Sequence, residues 1–324
     1  MSGRYLIVGG AGFIGSHFTD RLMQDSETEA VTVYDNLSSG REWHYARWIG
    51  NPRFKVVRAD VRENDRLVAA MRDQEVVIHL ASNPDIARAV TEPAVDFDEG
   101  TVLTHGVVEA MRVAGAGTLL YASGSGVYGD LGELEAAEDH GPLVPISTYG
   151  ASKLAGEALI ASYSHMFGVV GRAFRFGNVV GPRQTHGVGF DFVRRLAADP
   201  SRLRILGDGT QSKPYIHVTD IVEAVLTALH RETAPFQVYN VATGDYVTVR
   251  EIADMAVEVA GLPVGSVVYE FTGGDRGWKG DVPVVRLRTE RIRALGWTHR
   301  LSAAAALRSS LEALQLELDR VPAG

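Results

Sequence analysis

Apolar and polar positions alternate along this chain with two periods. Residues 4–8 (Arg-Tyr-Leu-Ile-Val) form a short, mostly apolar run that ends in glycines. A run this short, closed by a turn signal, predicts a buried parallel strand. Phe13, Ile14, Phe18, Leu22 and Met23 then recur at roughly helical spacing over 13–24. Residues 30–35 (Ala-Val-Thr-Val-Tyr-Asp) predict a second, β-branched strand. The pattern repeats, with strand-like runs at 54–58, 75–81, 117–122 and 169–175 and helix-like runs at 63–73, about 95–114 and 149–166. Such alternation predicts an α/β fold of Rossmann type, a doubly wound parallel sheet with helices on both faces.

After about residue 178 the rhythm changes. The helix beginning near Asp220 and the short strand 237–241 (Gln-Val-Tyr-Asn-Val) are expected to return to the first lobe. The reading is a Rossmann domain over 1–178 with returning segments at about 215–248. A smaller mixed α/β substrate lobe would cover 179–214 and 249–324. At 324 residues, two lobes are reasonable. The residues after Asp319 are expected to fray.

Composition narrows the function. There is no cysteine, which excludes disulfides, thiolate metal sites and cysteine nucleophiles and fits a cytoplasmic protein. The net charge of −8 weighs against nucleic acid. The basic pairs Arg194–Arg195 and Arg291/Arg293 read as solvated helix faces. No run approaches the ~18 apolar residues of a membrane span, and no secretory leader is visible. His17, His140 and His230 read as surface or packing residues, Trp278 as packing, and no histidine–carboxylate spacing suggests a metal.

The first strand runs into Gly9-Gly10-Ala11-Gly12-Phe13-Ile14-Gly15. The glycines at 9, 12 and 15 suit a sharp turn, close approach to a pyrophosphate, and packing of helix on strand. The helix that follows would aim free N–H groups at phosphate. Asp35, about 20 residues on and at the end of the second strand, is where a ribose-binding carboxylate belongs. It would accept hydrogen bonds from both ribose hydroxyls and repel a 2′-phosphate, so NAD is favoured over NADP. Arg41, a possible objection, lies well past the strand end. Asp60 follows the third strand and, with Val61, is placed to meet the adenine edge.

Tyr149 and Lys153 lie four apart at the start of a predicted helix, and so share one face. Of the 11 tyrosines this is the one followed four residues later by lysine. A cation near a phenol favours phenolate, so the Tyr149 pKa is expected to fall toward neutrality. Such a tyrosine can take a sugar hydroxyl proton as hydride leaves. Lys153 can also hold the nicotinamide ribose. A third group would come from the end of the strand at 117–122, where Ser123 and Ser125 are the candidates.

Taken together, these segments resemble the extended short-chain dehydrogenase/reductase family, and within it the NAD-dependent nucleotide-sugar epimerase/dehydratase group. Further matching pieces are Tyr34-Asp35-Asn36, His79-Leu80-Ala81, Val127-Tyr128-Gly129, Arg175 to Pro182, Gly207 to Gln211, Tyr215 to Asp220 and Gly296-Trp297. The likeness is greatest to the UDP-glucose (UDP-galactose) 4-epimerase branch, whose compact members carry Arg-Gly-Trp-x-Gly-Asp, here Arg276 to Asp281. The resemblance implies cofactor contacts at Gly9, Gly12, Phe13, Ile14, Gly15, Asp35, Asn36, Asp60, Val61, Leu80 and Ala81. It implies that Asn178 and Arg276 hold a nucleotide diphosphate, that Lys213 meets phosphate, and that a Val188-Gly189-Phe190 loop passes the base. Ser123 or Ser125 would touch the sugar, a UDP-hexose for preference. Helices 95–114 and 149–166 would form a homodimer interface.

The chain departs from that family at three places. Gly124 stands where Ser or Thr is common, Glu99-Gly100-Thr101 lacks a usual asparagine, and Lys213-Pro214 replaces an Arg-Asp pair. A 4,6-dehydratase would need an acid/base pair in the 123–126 loop, which holds only Ser and Gly. A uronate decarboxylase lacks its glutamate there, whereas a UDP-glucuronate or other NDP-sugar 4-epimerase remains open. An NADPH-consuming reductase is disfavoured by Asp35. A non-catalytic NAD-binding protein is the remaining reading.

Overall fold

A computed structural model of the chain describes residues 3–318. The expectation about residues after Asp319 lies outside them. From the N-terminus the chain runs β1 (Gly3–Val8), α1 (Phe13–Gln24), β2 (Thr28–Asp35), β3 (Phe54–Arg58), α2 (Asn64–Met71) and β4 (Val76–His79). A π-helical stretch, Phe97–Val102, leads into α3 (Leu103–Ala114), followed by β5 (Thr118–Gly124), α4 (Thr148–Phe167), β6 (Val170–Phe176) and β7 (Asn178–Val180). Then come α5 (Val188–Ala198), β8 (Arg202–Ile205), β9 (Ser212–Lys213), β10 (Tyr215–His217), α6 (Val218–Arg231) and β11 (Phe236–Val241). The last elements are β12 (Val247–Thr248), α7 (Val249–Val259), β13 (Val268–Phe271), α8 (Glu290–Ala294) and α9 (Ala303–Leu316).

Seven strands form one sheet in the order β11-β6-β5-β4-β1-β2-β3. All its pairings are parallel. The strands are buried on both faces, which explains their continuous apolar runs. Successive residues of β1 point to opposite faces. Tyr5 and Ile7 pack with Phe18 and Leu22 of α1 and Ile221 and Val225 of α6. Leu6 and Val8 pack with Leu67 of α2, Val107 and Met111 of α3 and Ile160 of α4. Each fully buried Leu or Ile contributes ~1.5–3 kcal/mol of burial, so these two layers carry the first lobe. The order in which strands are added reverses between β1 and β4. The crevice outside the strand ends at that point is where such folds bind ligands.

The second lobe has its own core. Phe192, Val193 and Leu196 of α5, Ile252 and Ala256 of α7, and Leu307 and Leu311 of α9 pack around Leu203, Ile205 and Tyr215. Three two-stranded pairings, β7–β10, β8–β13 and β9–β12, lie outside the seven-stranded sheet. No helix among the described residues is long and apolar enough to cross a membrane. No group of His, Asp or Glu among them could hold a metal ion.

Two expectations change here. The predicted helix 95–114 is regular only from Leu103, because its first turns are π-helical. The predicted Val188-Gly189-Phe190 loop is the first turn of α5 instead. Phe192, Val193 and Leu196 are buried at helical spacing, and the chain coils to bury them.

Candidate active site

The glycine-rich turn leaves β1 at the sheet's reversal point. Gly9 has φ +81°, and a side chain there would meet the Ala81 backbone nitrogen at 2.6 Å. A Cβ on Gly15 would lie 2.6 Å from Gly10 Cα and from the Gly9 carbonyl oxygen. Both positions thus exclude a side chain, one by turn geometry and one by helix-on-turn packing. A Cβ on Gly12 would meet only the Gly9 oxygen, at 3.2 Å. That leaves the N-terminus of α1 open to a phosphate. Leu80 and Ala81 close the floor through N–H donation to the Val8 carbonyl at 2.8 and 3.1 Å.

Asp35 binds the turn itself. Its carboxylate accepts from the Ala11 N–H at 2.9 Å and the Leu37 N–H at 2.8 Å. Burial raises its pKa and the two backbone donors oppose that rise. Each oxygen keeps a lone pair for a ribose hydroxyl. Asn36 donates to Asp60 at 2.8 Å, which sets both at the rim below β2 and β3. Val61 is buried with the α3 core, while Phe13 and Ile14 begin α1. Arg41 returns to the turn through its backbone N–H on the Ala11 carbonyl at 3.0 Å, and its guanidinium donates to the Gly40 carbonyl. Position along the chain had set it apart; the loop brings it back.

Tyr149 and Lys153 sit in the first two turns of α4. Ser147 caps that helix by accepting from the Gly150 N–H at 3.1 Å. Lys153 Nζ donates to the Ala122 carbonyl of β5 at 2.9 Å and stands 5.4 Å from the centre of the Tyr149 ring. Burial lowers the lysine pKa to about 8. Burial also pushes the Tyr149 phenol up to about 12; a Ser82 hydroxyl beside it pulls down and Asp96 pushes further up. The expectation that the nearby Lys153 draws the Tyr149 phenol toward neutrality is therefore not met. The ammonium spends its short bond on a backbone carbonyl, and desolvation of the phenolate outweighs what remains.

The two serines part company. Ser123 donates to Glu157 of α4 at 2.5 Å. Glu157 also holds Arg175 of β6 through bonds of 2.7 and 3.0 Å, the pair being 5% and 4% exposed. The Ser123 hydroxyl is thereby committed to a buried ion pair. Ser125 starts a short 3-10 turn, Ser125–Tyr128, and its hydroxyl makes no hydrogen bond among the described residues. Tyr128 anchors the turn by donating to Asn240 at 2.8 Å. Gly124, between the serines, has φ −161° and ψ 162°, and a Cβ there would meet nothing within 4 Å. Gly100 differs. A side chain there would meet the Ser152 hydroxyl at 2.5 Å, so Ser152 of α4 fills the space that an asparagine would need.

In the second lobe, Lys213 and Arg276 converge on Asp281. Lys213 makes an ion pair with it, and Arg276 donates to its carbonyl at 2.7 Å. Arg276 also reaches Asp130 of the first lobe at 2.6 Å. Asn178 begins β7, beside the buried Tyr215 hydroxyl of β10. Val188, at the start of α5, borders the second-lobe core.

Residues 5–242 match the NAD dependent epimerase/dehydratase family. The chain belongs to that family. A UDP-glucose 4-epimerase of Mycolicibacterium smegmatis is 32% identical over 319 residues, 95% of this chain and 97% of the relative. A crystal structure of UDP-galactose 4-epimerase shares 38% identity and a TM-score of 0.86, over 97% of this chain and 99% of that one. A dTDP-glucose 4,6-dehydratase from Streptomyces venezuelae, solved with NAD bound, superposes with a TM-score of 0.89 at 26% identity, over 98% of both chains.

This member of the epimerase/dehydratase family is an enzyme, and NAD is its cofactor. The residues present fit it, with two glycines whose side chains the packing forbids, an open helix N-terminus, and a carboxylate at the ribose position. Motif reading missed Ser82, Asp96, Glu157 and Asp130. Ser82 and Asp130 directly follow the His79-Leu80-Ala81 and Val127-Tyr128-Gly129 motifs, which could have flagged them, but all four act on partners far along the chain.

Proposed function

We propose that the enzyme is a nucleotide-sugar 4-epimerase of the UDP-glucose/UDP-galactose type. The observation that carries this is the make-up of the β5 end. Tyr149 and Lys153 stand over it as one proton-handling pair, while the Ser123–Gly126 loop offers hydroxyls and no carboxylic acid. A pair that moves one proton at C4 suffices for epimerisation, whereas elimination across C5 and C6 needs a further acid and base. Bound NAD supplies the hydride acceptor and, once reduced, the donor. In its phenolate form Tyr149 takes the C4 hydroxyl proton, and as the phenol so formed it returns the proton when the ketone is reduced on its other face. Lys153, whose ammonium stands 5.4 Å from the Tyr149 ring, favours that phenolate. Ser125 offers the free hydroxyl beside it. Asp35 holds the adenosine ribose, and Asn178, Lys213 and Arg276 hold the diphosphate.

The same elements support a homodimer. Phe97, Val102 and Val113 on the π-helical and α3 segments, and Met166 and Phe167 at the end of α4, expose 40–68% of their surface. Apolar side chains at that density on adjoining helices suit a partner's helices.

The test is incubation of the purified enzyme, with no added cofactor, with UDP-glucose, UDP-galactose, UDP-glucuronate and their GDP, ADP and dTDP counterparts, followed by NMR. A C4 epimer of a UDP-hexose is expected. A 4-keto-6-deoxy product would refute the reading in favour of dehydration. Tyr149→Phe should retain NAD and lose at least ~10²-fold in kcat; an active Phe variant would overturn the assignment of the base.

A further inference from the structure

Asp96 lies one residue before the π-helical stretch and is 1% exposed. Both its oxygens are engaged. Oδ1 accepts from the Asn83 amide at 2.9 Å, and Oδ2 from the Thr148 hydroxyl at 2.6 Å. Thr148 is the first residue of α4 and immediately precedes Tyr149. Asn83 immediately follows Ser82, whose hydroxyl faces the Tyr149 phenol. Asn83 is itself fixed, donating to the Asp85 carbonyl at 2.8 Å and accepting from the Asp85 N–H at 3.0 Å. One carboxylate therefore ties together the two segments that bring Ser82 and Tyr149 face to face. It sits at the N-terminal ends of α4 and of the π-helical segment, where helix dipoles favour an anion.

The charges around it are few. His79 of β4 and Tyr121 of β5 lie beneath Lys153, and burial keeps both neutral, lowering the imidazole pKa to about 3 and raising the phenol's. Glu157 and Arg175, on α4 and β6, neutralise one another at 2.7 Å. On the same segment as Asp96, Asp98 is exposed and Glu99 faces Arg88 at 3.8 Å. Asp85 caps the 86–90 turn and shares its surroundings with His186 and Asp191. Asp96 is a buried carboxylate joined to the Tyr149 segment through Thr148 and to the Ser82 segment through Asn83.

We propose that Asp96 is a positioning residue for this reaction, locking Ser82 against Tyr149 and setting the charge balance of the Tyr149–Lys153 pair. In a water-poor site a nearby carboxylate favours ammonium over amine and phenol over phenolate. It therefore favours the form with the charge on Lys153 and the proton on Tyr149, the form that returns the proton to the ketone, and loss of its charge favours the phenolate. The two groups titrate as a unit, and Asp96 shifts that unit as a whole. The inference rests on the reading of Tyr149 and Lys153 as the proton-handling pair.

The test uses the NAD-loaded enzyme and Asp96→Asn, which removes the charge and keeps the shape. The amide can still bond Thr148, because a hydroxyl both donates and accepts. Both limbs of the kcat–pH profile are expected to move to lower pH, by on the order of one unit. A lowered kcat with both limbs in place would show a purely structural role and overturn the proposal. A second readout needs no substrate: the phenolate absorbance of Tyr149, taken as enzyme minus its Tyr149→Phe variant, should rise at lower pH in the Asp96→Asn background. If that shift appears while no sugar is turned over, the epimerase reading fails and Asp96 keeps its role. If sugars are epimerised and neither readout moves, the Asp96 inference fails alone. Should Asp96→Asn not fold, Thr148→Val cuts one tether and keeps the charge. It is expected to lower kcat about tenfold with both limbs unmoved, and full activity in that variant would overturn the positioning role.

Discussion

Gly124→Ser supplies the hydroxyl that the family resemblance leads one to expect at this position, and the structure allows its effects to be separated. The backbone at 124 is extended, with φ −161° and ψ 162°, which any residue adopts. No atom lies within 4 Å of an added Cβ. Folding should therefore be neutral or slightly improved, by about 0.4–1 kcal/mol, since serine leaves the unfolded chain less freedom than glycine. The change in rate should be larger. A second hydroxyl donating to the developing charge on the sugar oxygen contributes ~1.5–3 kcal/mol when one partner is charged. That corresponds to roughly a tenfold to hundredfold gain in kcat. The assay is kcat and KM for the epimerised sugar, with a denaturant melt run alongside to confirm unchanged stability. An unchanged melt with unchanged or lower kcat would refute the reasoning. It would mean that one hydroxyl, that of Ser125, suffices, or that the open space at Gly124 is needed by the sugar.

Three further outcomes follow from the same geometry. Lys153, held down to about 8 against an ordinary 10.5, should lose its charge above pH 8 in the cofactor-free protein; between those values the unfolded chain binds more protons, so this group makes stability rise with pH, and urea melts of Lys153→Met should lack that rise. Asp130→Asn should free Arg276 from its 2.6 Å partner and tighten UDP binding by up to about fivefold in calorimetry, the small gain due to a pair whose side chains are 33% and 29% exposed; weaker binding would show that Asp130 orders the arginine instead. Glu157→Ala should leave the buried Arg175 charge uncompensated and cost ~3–5 kcal/mol in denaturant melts, so a loss below 1 kcal/mol would mean that water reaches the pair.

The ion pair under β5 also bears on which serine acts. Both serines sit in one short loop, and either spacing suits a hydroxyl beside the reacting oxygen. Register separates their bonding. Ser123 stands opposite Arg175 in the β5–β6 ladder and is drawn into that residue's bond with Glu157. Ser125, past the end of the strand, escapes it.

Much was legible in the sequence because its physics is local. A period near two or near 3.6 reports which side of an element is buried, and the parallel sheet followed from their alternation. The Gly9–Gly15 turn is demanded by sterics within a few residues, and Tyr149 and Lys153 share a face because of helical pitch alone. What the chain order could not express are contacts between residues far apart. Asp96 and Thr148 are separated by 52 positions, Ser123 and Glu157 by 34, and Asp130 and Arg276 by 146. Burial belongs to the same class. The sequence places a lysine near a phenol, but the tertiary structure decides that the ammonium bonds to the Ala122 carbonyl and that desolvation raises the phenol. Proximity along a helix is a property of the chain, whereas the dielectric around a side chain is made only by the packing of everything else upon it.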